Sequence, residues 1–143
     1  MNMKISIITI TYNSAKTLPN TLQSVLSQTY PYIEHIIVDG ASKDGTKELI
    51  EAYAKEVQKG KDEYTREVRW VSEKDSGIYN AINKGIQMAT GDVIGFVHSD
   101  DMLFSSDSIE HIANAFVSSD VDLIYGDLQY CKGDKVVRRW KSN

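Results

Sequence analysis

Apolar positions in this chain fall into short β-branched runs separated by stretches of helical period, and that alternation predicts most of its elements. The run Ile5-Ser6-Ile7-Ile8-Thr9-Ile10-Thr11 is nearly apolar throughout, as expected of a strand covered on both faces. It stops at the turn-prone cluster Tyr12-Asn13-Ser14. Leu18, Leu22, Val25 and Leu26 then share one helical face, and Pro19 sets the first turn near Thr17, because proline is tolerated only at a helix start. Ile33 to Asp39 predicts a second strand, and Gly40 to Thr46 a loop into a helix with the stripe Leu49, Ile50, Tyr53 and Val57. The charged stretch Lys59-Gly60-Lys61-Asp62-Glu63 reads as a solvated loop. Val68 to Glu73 is a third strand. Lys74 to Gly77 leads into a helix with the stripe Ile78, Ile82, Ile86 and Met88–Ala89, ended by Gly91. Val93 to Val97 is a fourth strand running directly into His98-Ser99-Asp100-Asp101. A helix with Ile109, Ile112, Ala113 and Phe116 follows, then a fifth strand, Leu123-Ile124-Tyr125. Leu128 to Tyr130 and Val136 to Trp140, around Lys132-Gly133-Asp134, predict an antiparallel hairpin.

Repeated strand–helix units with short links imply right-handed crossovers and an α/β fold with a mainly parallel sheet. There is no internal repeat, low-complexity tract or interdomain linker, so residues 1–143 read as one domain. Composition changes this picture little: 41% hydrophobic and 25% charged residues are ordinary for a globular protein. Charge changes it more. A net charge of −4 argues against nucleic-acid binding, which needs a basic surface. One cysteine, Cys131, cannot form an internal disulfide and has no catalytic base beside it, so it reads as a passive thiol in a reducing compartment. No apolar run approaches the roughly 20 residues that cross a bilayer, and the first residues lack the plan of a signal peptide. The expectation is a cytoplasmic chain.

Open α/β sheets bind ligands outside the carboxyl ends of their strands, near the point where strand order reverses. Here those ends are Thr11-Tyr12-Asn13, Asp39, Asp75 and Asp100–Asp101, so three strands deliver carboxylates to one rim. Asp100 and Asp101 are adjacent and would repel each other without a positive partner. A divalent cation is the simplest one. Oxygen ligands with no cysteine or histidine cluster point to Mg²⁺ or Mn²⁺, which complete their shell with water and substrate phosphates. The alternative for Asp101 is a cap on the following helix. Tyr12 could stack on a flat ring or simply pack. Asp39-Gly40 sits where contact with a base or ribose is favoured, although it could be only a loop former. Ser42-Lys43-Asp44 reads as helix capping. His98 could approach the metal or phosphates, whereas His35 and His111 are assigned to structure. There is no P-loop and no dinucleotide fingerprint after the first strand, so phosphate charge falls to the metal.

These residues together resemble the family 2 glycosyltransferases, nucleotide-sugar-dependent enzymes with the GT-A fold. Ile5–Thr11 into Tyr12-Asn13, continued by Ser24 to Tyr30, looks like their first motif. Ile37 to Thr46 is similar to the second, Glu73 to Gly85 to the third, and Gly91-Asp92 leading to Ser99-Asp100-Asp101 to the fourth. The resemblance implies a nucleotide-sugar site lined by Thr11, Tyr12, Asn13, Asp39, Asp75 and Asp100. It also implies metal ligation by Asp100, leaving Asp101 as a further ligand from the pair or a cap on the following helix, and an inverting transfer from a nucleotide-diphospho-sugar to a glycan or lipid-linked acceptor. A location peripheral to the inner face of the membrane and a role in polysaccharide or cell-surface glycan synthesis follow from the same likeness.

Three departures qualify it. Gly40 stands where many members have a second acid, and His98 where they have the first acid of an Asp-x-Asp motif. Members also continue into an acceptor-binding half that supplies a general base. None is expected here; Asp127 and Asp134 are possible only on paper. A non-catalytic nucleotide-sugar-binding module is therefore the alternative reading, and an unfinished second half would expose apolar surface that favours self-association. A phosphoryl-accepting receiver domain fits poorly, because its paired acids would follow the first strand.

Overall fold

The structure is a computed structural model describing residues 3–59, 66–99, 103, 106–119, 131–132 and 135–136. Leu123-Ile124-Tyr125, the acids Asp100, Asp101, Asp127 and Asp134, and the side chain of Phe116 lie outside the described residues.

Four parallel strands form the sheet: β1 (Ile5–Thr11), β2 (Ile33–Asp39), β3 (Glu67–Ser72) and β4 (Val93–Phe96), in the order β3-β2-β1-β4. The central pair is hydrophobic on both faces, as the continuous apolar runs require. Helices α1 (Leu18–Leu26), α2 (Thr46–Lys59), α3 (Ile78–Met88) and α4 (Ser108–Ser119) connect or follow the strands. Lys59, read as loop, completes α2. A separate antiparallel pair joins Cys131–Lys132 (β5) to Lys135–Val136 (β6), within the expected C-terminal hairpin; its remaining positions, 128–130, 133–134 and 137–140, lie outside the described residues.

One sheet face is covered by α1, α2 and α4. Leu18, Leu22, Ile37, Ile50, Tyr53 and Val57 pack there, beside Ile5, Ile7, Val25, Ile33, Ile109 and Ala113. Pro19 falls in the first turn of α1, where Ser14 O accepts from the amides of Thr17 and Leu18. The opposite face carries α3 over Ile8, Ile36 and Val38.

The buried face of α3 differs from the expected stripe. Ala81 and Gly85 are buried, while Ile78 and Ile86 are 56% and 43% exposed. The reason is close approach: a Cβ on Gly85 would lie 2.6 Å from Ile8 Cγ2. Small residues let the helix backbone come near the sheet, and Ile78 and Ile86 turn outward, whereas Ile82 is half-buried and Met88 and Ala89 pack against the core as the stripe predicts. Gly91 is likewise no helix-ending glycine. A Cβ there would lie 2.5 Å from Ser6 Oγ and 2.8 Å from Lys4 O, so Gly91 permits the chain to press against β1 before entering β4.

Candidate functional site at the carboxyl edge of the sheet

The strand order places the topological switch between β1 and β4, and the parallel register brings the ends of β1, β2 and β3 level. Thr11 pairs with Asp39, and Asp39 with Ser72. The ladder continues past the strands: Gly40 N donates to Thr11 O and Glu73 N to Asp39 O, each at 3.0 Å. The residues that follow are therefore fixed at one rim.

Asp39 organises that rim from beneath. Its residue is 0% exposed, and a buried carboxylate must have its oxygens satisfied. Oδ2 accepts from Ser42 N at 2.9 Å and from Ser72 Oγ at 2.8 Å, and Oδ1 accepts from Ser42 Oγ at 2.5 Å. Ser42 Oγ accepts in turn from Asn13 N at 2.7 Å, and Asn13 Oδ1 accepts from Lys43 N at 2.9 Å. One chain of hydrogen bonds thus ties the end of β3 to the loops after β2 and β1. Ser42 is no helix cap; it bridges two strand ends. Asp44 performs the capping, with Oδ1 accepting from Thr46 N at 3.1 Å and from Thr46 Oγ1 at 2.5 Å. The Thr46 hydroxyl, aided by the amides of Ala15 and Thr46 and against the opposing effect of desolvation, holds the Asp44 carboxyl below its ordinary range.

Three residues converge on the upper side. A Cβ built on Gly40 would lie 3.2 Å from Asp75 Oδ2 and 3.3 Å from Tyr12 Cδ1. The loops after β1, β2 and β3 therefore meet at one point. Tyr12 is 64% exposed, an open aromatic surface at the rim. Asp75 is anchored by Oδ1, which accepts from Gly77 N at 3.1 Å; Gly77 has φ 130°, a conformation suited to glycine. Asn13 (φ 47°) and Ala41 (φ 63°) adopt left-handed backbone, and for Ala41 that costs on the order of 1 kcal/mol. Such strain persists where surrounding contacts over-determine it, and it clusters at ligand sites. Thr11 Oγ1 is buried with no hydrogen-bond partner among the described residues.

The exit of β4 joins the same rim. Ser14 and Ser99 hydroxyls lie 3.0 Å apart, and Thr21 Oγ1 donates to Ser99 O at 3.1 Å. His98 is exposed there. Of the sequence-nominated residues, Thr11, Tyr12, Asn13, Asp39 and Asp75 are brought to one edge. Asp100 and Asp101, next in the chain after Ser99, lie outside the described residues. Among the described residues no group of three or more histidines, cysteines, aspartates and glutamates could hold a metal ion. His35 and His111 are elsewhere: His35 is buried between Thr9 and Tyr53, and exposed His111 pairs with Asp107 at 3.0 Å. Sequence reasoning missed Gly40 as a meeting point of side chains and Ser42 as a bridge. Neither carries a local signal, because both roles depend on which strands are neighbours.

No described helix is long and apolar enough to cross a membrane. The fold is shared with solved glycosyltransferases. The chain aligns with S. aureus TarS in complex with UDP-GlcNAc at TM-score 0.66 and 27% identity, over 81% of this chain and 32% of that one. A mannosyltransferase from Pyrobaculum calidifontis, solved with GDP-Man and Mn2+, has the same fold at TM-score 0.71 and 24% identity, over 81% of this chain and 33% of that one. Among curated proteins, a PGL/p-HBAD biosynthesis glycosyltransferase of Mycobacterium bovis (strain BCG / Pasteur 1173P2) is 34% identical over 127 residues, 86% of this chain and 46% of the relative. The chain spans less than half the length of the curated relatives it matches. A family model described as glycosyl transferase family 2 matches residues 6–143, and with the GT-A fold in place the chain belongs to that family.

Proposed function

We propose that this chain is the donor-binding part of an inverting glycosyltransferase. It takes a nucleotide-diphospho-sugar at the carboxyl edge of its sheet, and the whole protein passes the sugar to a glycan or lipid-linked acceptor. The observation that carries the reading is the meeting of Tyr12, Gly40 and Asp75 above a loop pinned by Asp39. That arrangement offers a flat aromatic surface and a carboxylate acceptor at the place where open α/β sheets bind nucleotides. Family membership and the UDP-GlcNAc complex of TarS support a nucleotide-sugar as the ligand.

In this reading Tyr12, Asn13 and Asp75 line the nucleoside side, buried Thr11 and Asp39 support it from beneath, and Asp100 faces the diphosphate. Asp100 and Asp101 would hold Mg²⁺ or Mn²⁺, whose chemistry is to neutralise charge on a departing diphosphate. Acceptor binding and the general base belong to the whole protein. A module that binds the nucleotide-sugar without transferring it is the second reading.

Calorimetric titration of UDP and GDP, each with and without Mn²⁺, tests donor binding. Binding should strengthen with Mn²⁺, and Asp100→Ala should weaken it by about tenfold or more, the scale of a lost charge-assisted contact. Equal affinity with and without metal would remove the metal role from Asp100 and Asp101. Donor turnover by this chain, compared with a longer parent, separates transferase from module.

A further inference from the structure

Helix α1 buries two faces of different character. Leu18, Leu22 and Val25 pack among apolar neighbours, whereas Thr21 and Gln28, 0% and 4% exposed, bring polar atoms inside. Buried polar side chains require partners. The spacing of Thr21, Ser24 and Gln28 sets their side chains along one helical stripe. All three reach the chain that leads from β4 into α4.

That chain depends on them. Ser99 O lies beyond the end of β4 and Leu103 N ahead of α4, and no backbone group among the described residues pairs with either. Backbone groups so placed turn to side chains. Thr21 Oγ1 donates to Ser99 O at 3.1 Å and lies 3.5 Å from His98 O. Ser24 Oγ accepts from Leu103 N at 3.2 Å while donating to Thr21 O at 2.8 Å. Gln28 Oε1 accepts from Ile109 N at 3.0 Å, in the first turn of α4, where amides have no partner within the helix. Its Nε2 donates to Ser24 O at 3.0 Å, so both ends of the amide are used. Thr29 N adds a bond to Ser106 O at 2.7 Å. Asp100, Asp101 and Met102 are the residues between Ser99 and Leu103. The acid pair is thus carried between two points held by one helix.

We infer that Thr21 and Ser24 are positioning residues for the metal-binding acids, fixing the chain immediately before and after Asp100–Asp101, while Gln28 fixes the start of the helix that follows. The inference rests on the metal role read for Asp100 above and adds the residues that place it. A carboxylate that grips a cation must be held to within about 0.5 Å of its working position. Two buried hydroxyls on a rigid helix, acting through the backbone of residues 99 and 103, supply that constraint from outside the site.

The test measures Kd for UDP by calorimetry, with and without Mn²⁺, in wild type, Thr21→Val, Thr21→Ser and Ser24→Ala, each well below its unfolding midpoint. Thr21→Val keeps the shape and removes the hydroxyl; Thr21→Ser keeps the hydroxyl. The readout is the ratio of the two Kd values, which a loss of stability alone does not change in the folded chain. Thr21→Val and Ser24→Ala should each reduce the gain from Mn²⁺ by about tenfold, the scale of losing a group that supports a metal ligand. UDP affinity without metal should stay within about twofold, and Thr21→Ser should keep the wild-type ratio. Ser24→Ala, acting on the far side of the acid pair, carries the test if Thr21→Val fails to fold. In Ser24→Ala the Leu103 amide should also lose protection from hydrogen exchange with no metal present. Wild-type ratios in both Thr21→Val and Ser24→Ala, or unchanged Leu103 protection in Ser24→Ala, overturn the inference while the metal role of Asp100 stands. No gain from Mn²⁺ in wild type overturns that role, and the inference with it.

Discussion

At the scale of single residues, the informative side chain away from the rim is His35. It is buried on β2, with Thr9 Oγ1 2.8 Å from Nε2 and the Tyr53 hydroxyl 2.8 Å from Nδ1. Burial disfavours the imidazolium and pushes its pKa down to about 3. The same burial raises the Tyr53 phenol. The sign follows from proton binding. Below about pH 6.5 the unfolded chain takes up a proton at His35 that the folded chain refuses, so stability present above that pH falls as pH drops toward 3, by up to about 1.4 kcal/mol per unit. Glu34 and Asp44 are also held low. For Glu34, burial acts upward but is outweighed by the Thr90 amide, the Ser6 and Thr90 hydroxyls and Lys4. Their losses begin only near ordinary carboxylate pKa values, about pH 4. Urea unfolding at pH 7, 6 and 5 should therefore show a decline that His35→Gln largely abolishes. A decline of equal slope in the variant would assign the pH dependence to other groups.

Among the elements, α3 shows how side-chain size sets a packing distance. Gly85 faces Ile8 and Val38 across a gap that a methyl group would overfill, and Ile8 is β-branched and stiff. Gly85→Ala gains about 1 kcal/mol of helix propensity but incurs overpacking of roughly 1–3 kcal/mol. Chemical denaturation should register a net loss of up to about 2 kcal/mol, and a net gain would show that α3 can shift outward freely. The same helix marks the limit of what sequence pattern reveals. β1 and β2 were legible because continuous β-branched runs have one good solution, and β3 was displaced by a single residue at each end. The apolar stripe of α3 misled at Ile78 and Ile86 but not at Met88–Ala89, because the face nearest the sheet is marked by alanine and glycine instead of isoleucine. The rim residues Tyr12, Asp39 and Asp75 were legible from their places at strand ends. Their meeting over Gly40 was not, because it depends on three strands that are distant in sequence lying side by side.

Across the whole molecule, the parallel sheet separates two polar clusters by the length of its strands. At the amino edge, Glu34 is buried and accepts from Ser6 Oγ at 2.7 Å, Thr90 N at 2.9 Å and Thr90 Oγ1 at 2.9 Å. Lys4 lies 3.6 Å and Arg69 3.4 Å from its Oε2, and Gly91 N donates to Ser6 Oγ at 2.9 Å. This cluster joins β1, β2, β3 and the approach to β4. At the carboxyl edge, Asp39 makes the comparable junction through Ser42, Ser72 and, by way of Ser42, Asn13. Truncating either acid strands buried donors and should cost about 2–4 kcal/mol; partial exposure of Lys4 and Arg69 keeps Glu34 from the upper end of the range for a buried pair. The two losses should differ in kind. Glu34→Ala should lower the unfolding midpoint and leave UDP affinity of the folded chain within about twofold, because no hydrogen bond of its cluster reaches the rim and distant sites act independently. Asp39→Ala should lower both, since the loop carrying Gly40 and Ser42 loses its anchor. Calorimetric Kd values measured well below each variant's unfolding midpoint, set beside urea midpoints, decide the matter. A large loss of UDP affinity in Glu34→Ala would mean that the sheet transmits strain between its edges, and the donor site would then extend to the whole sheet.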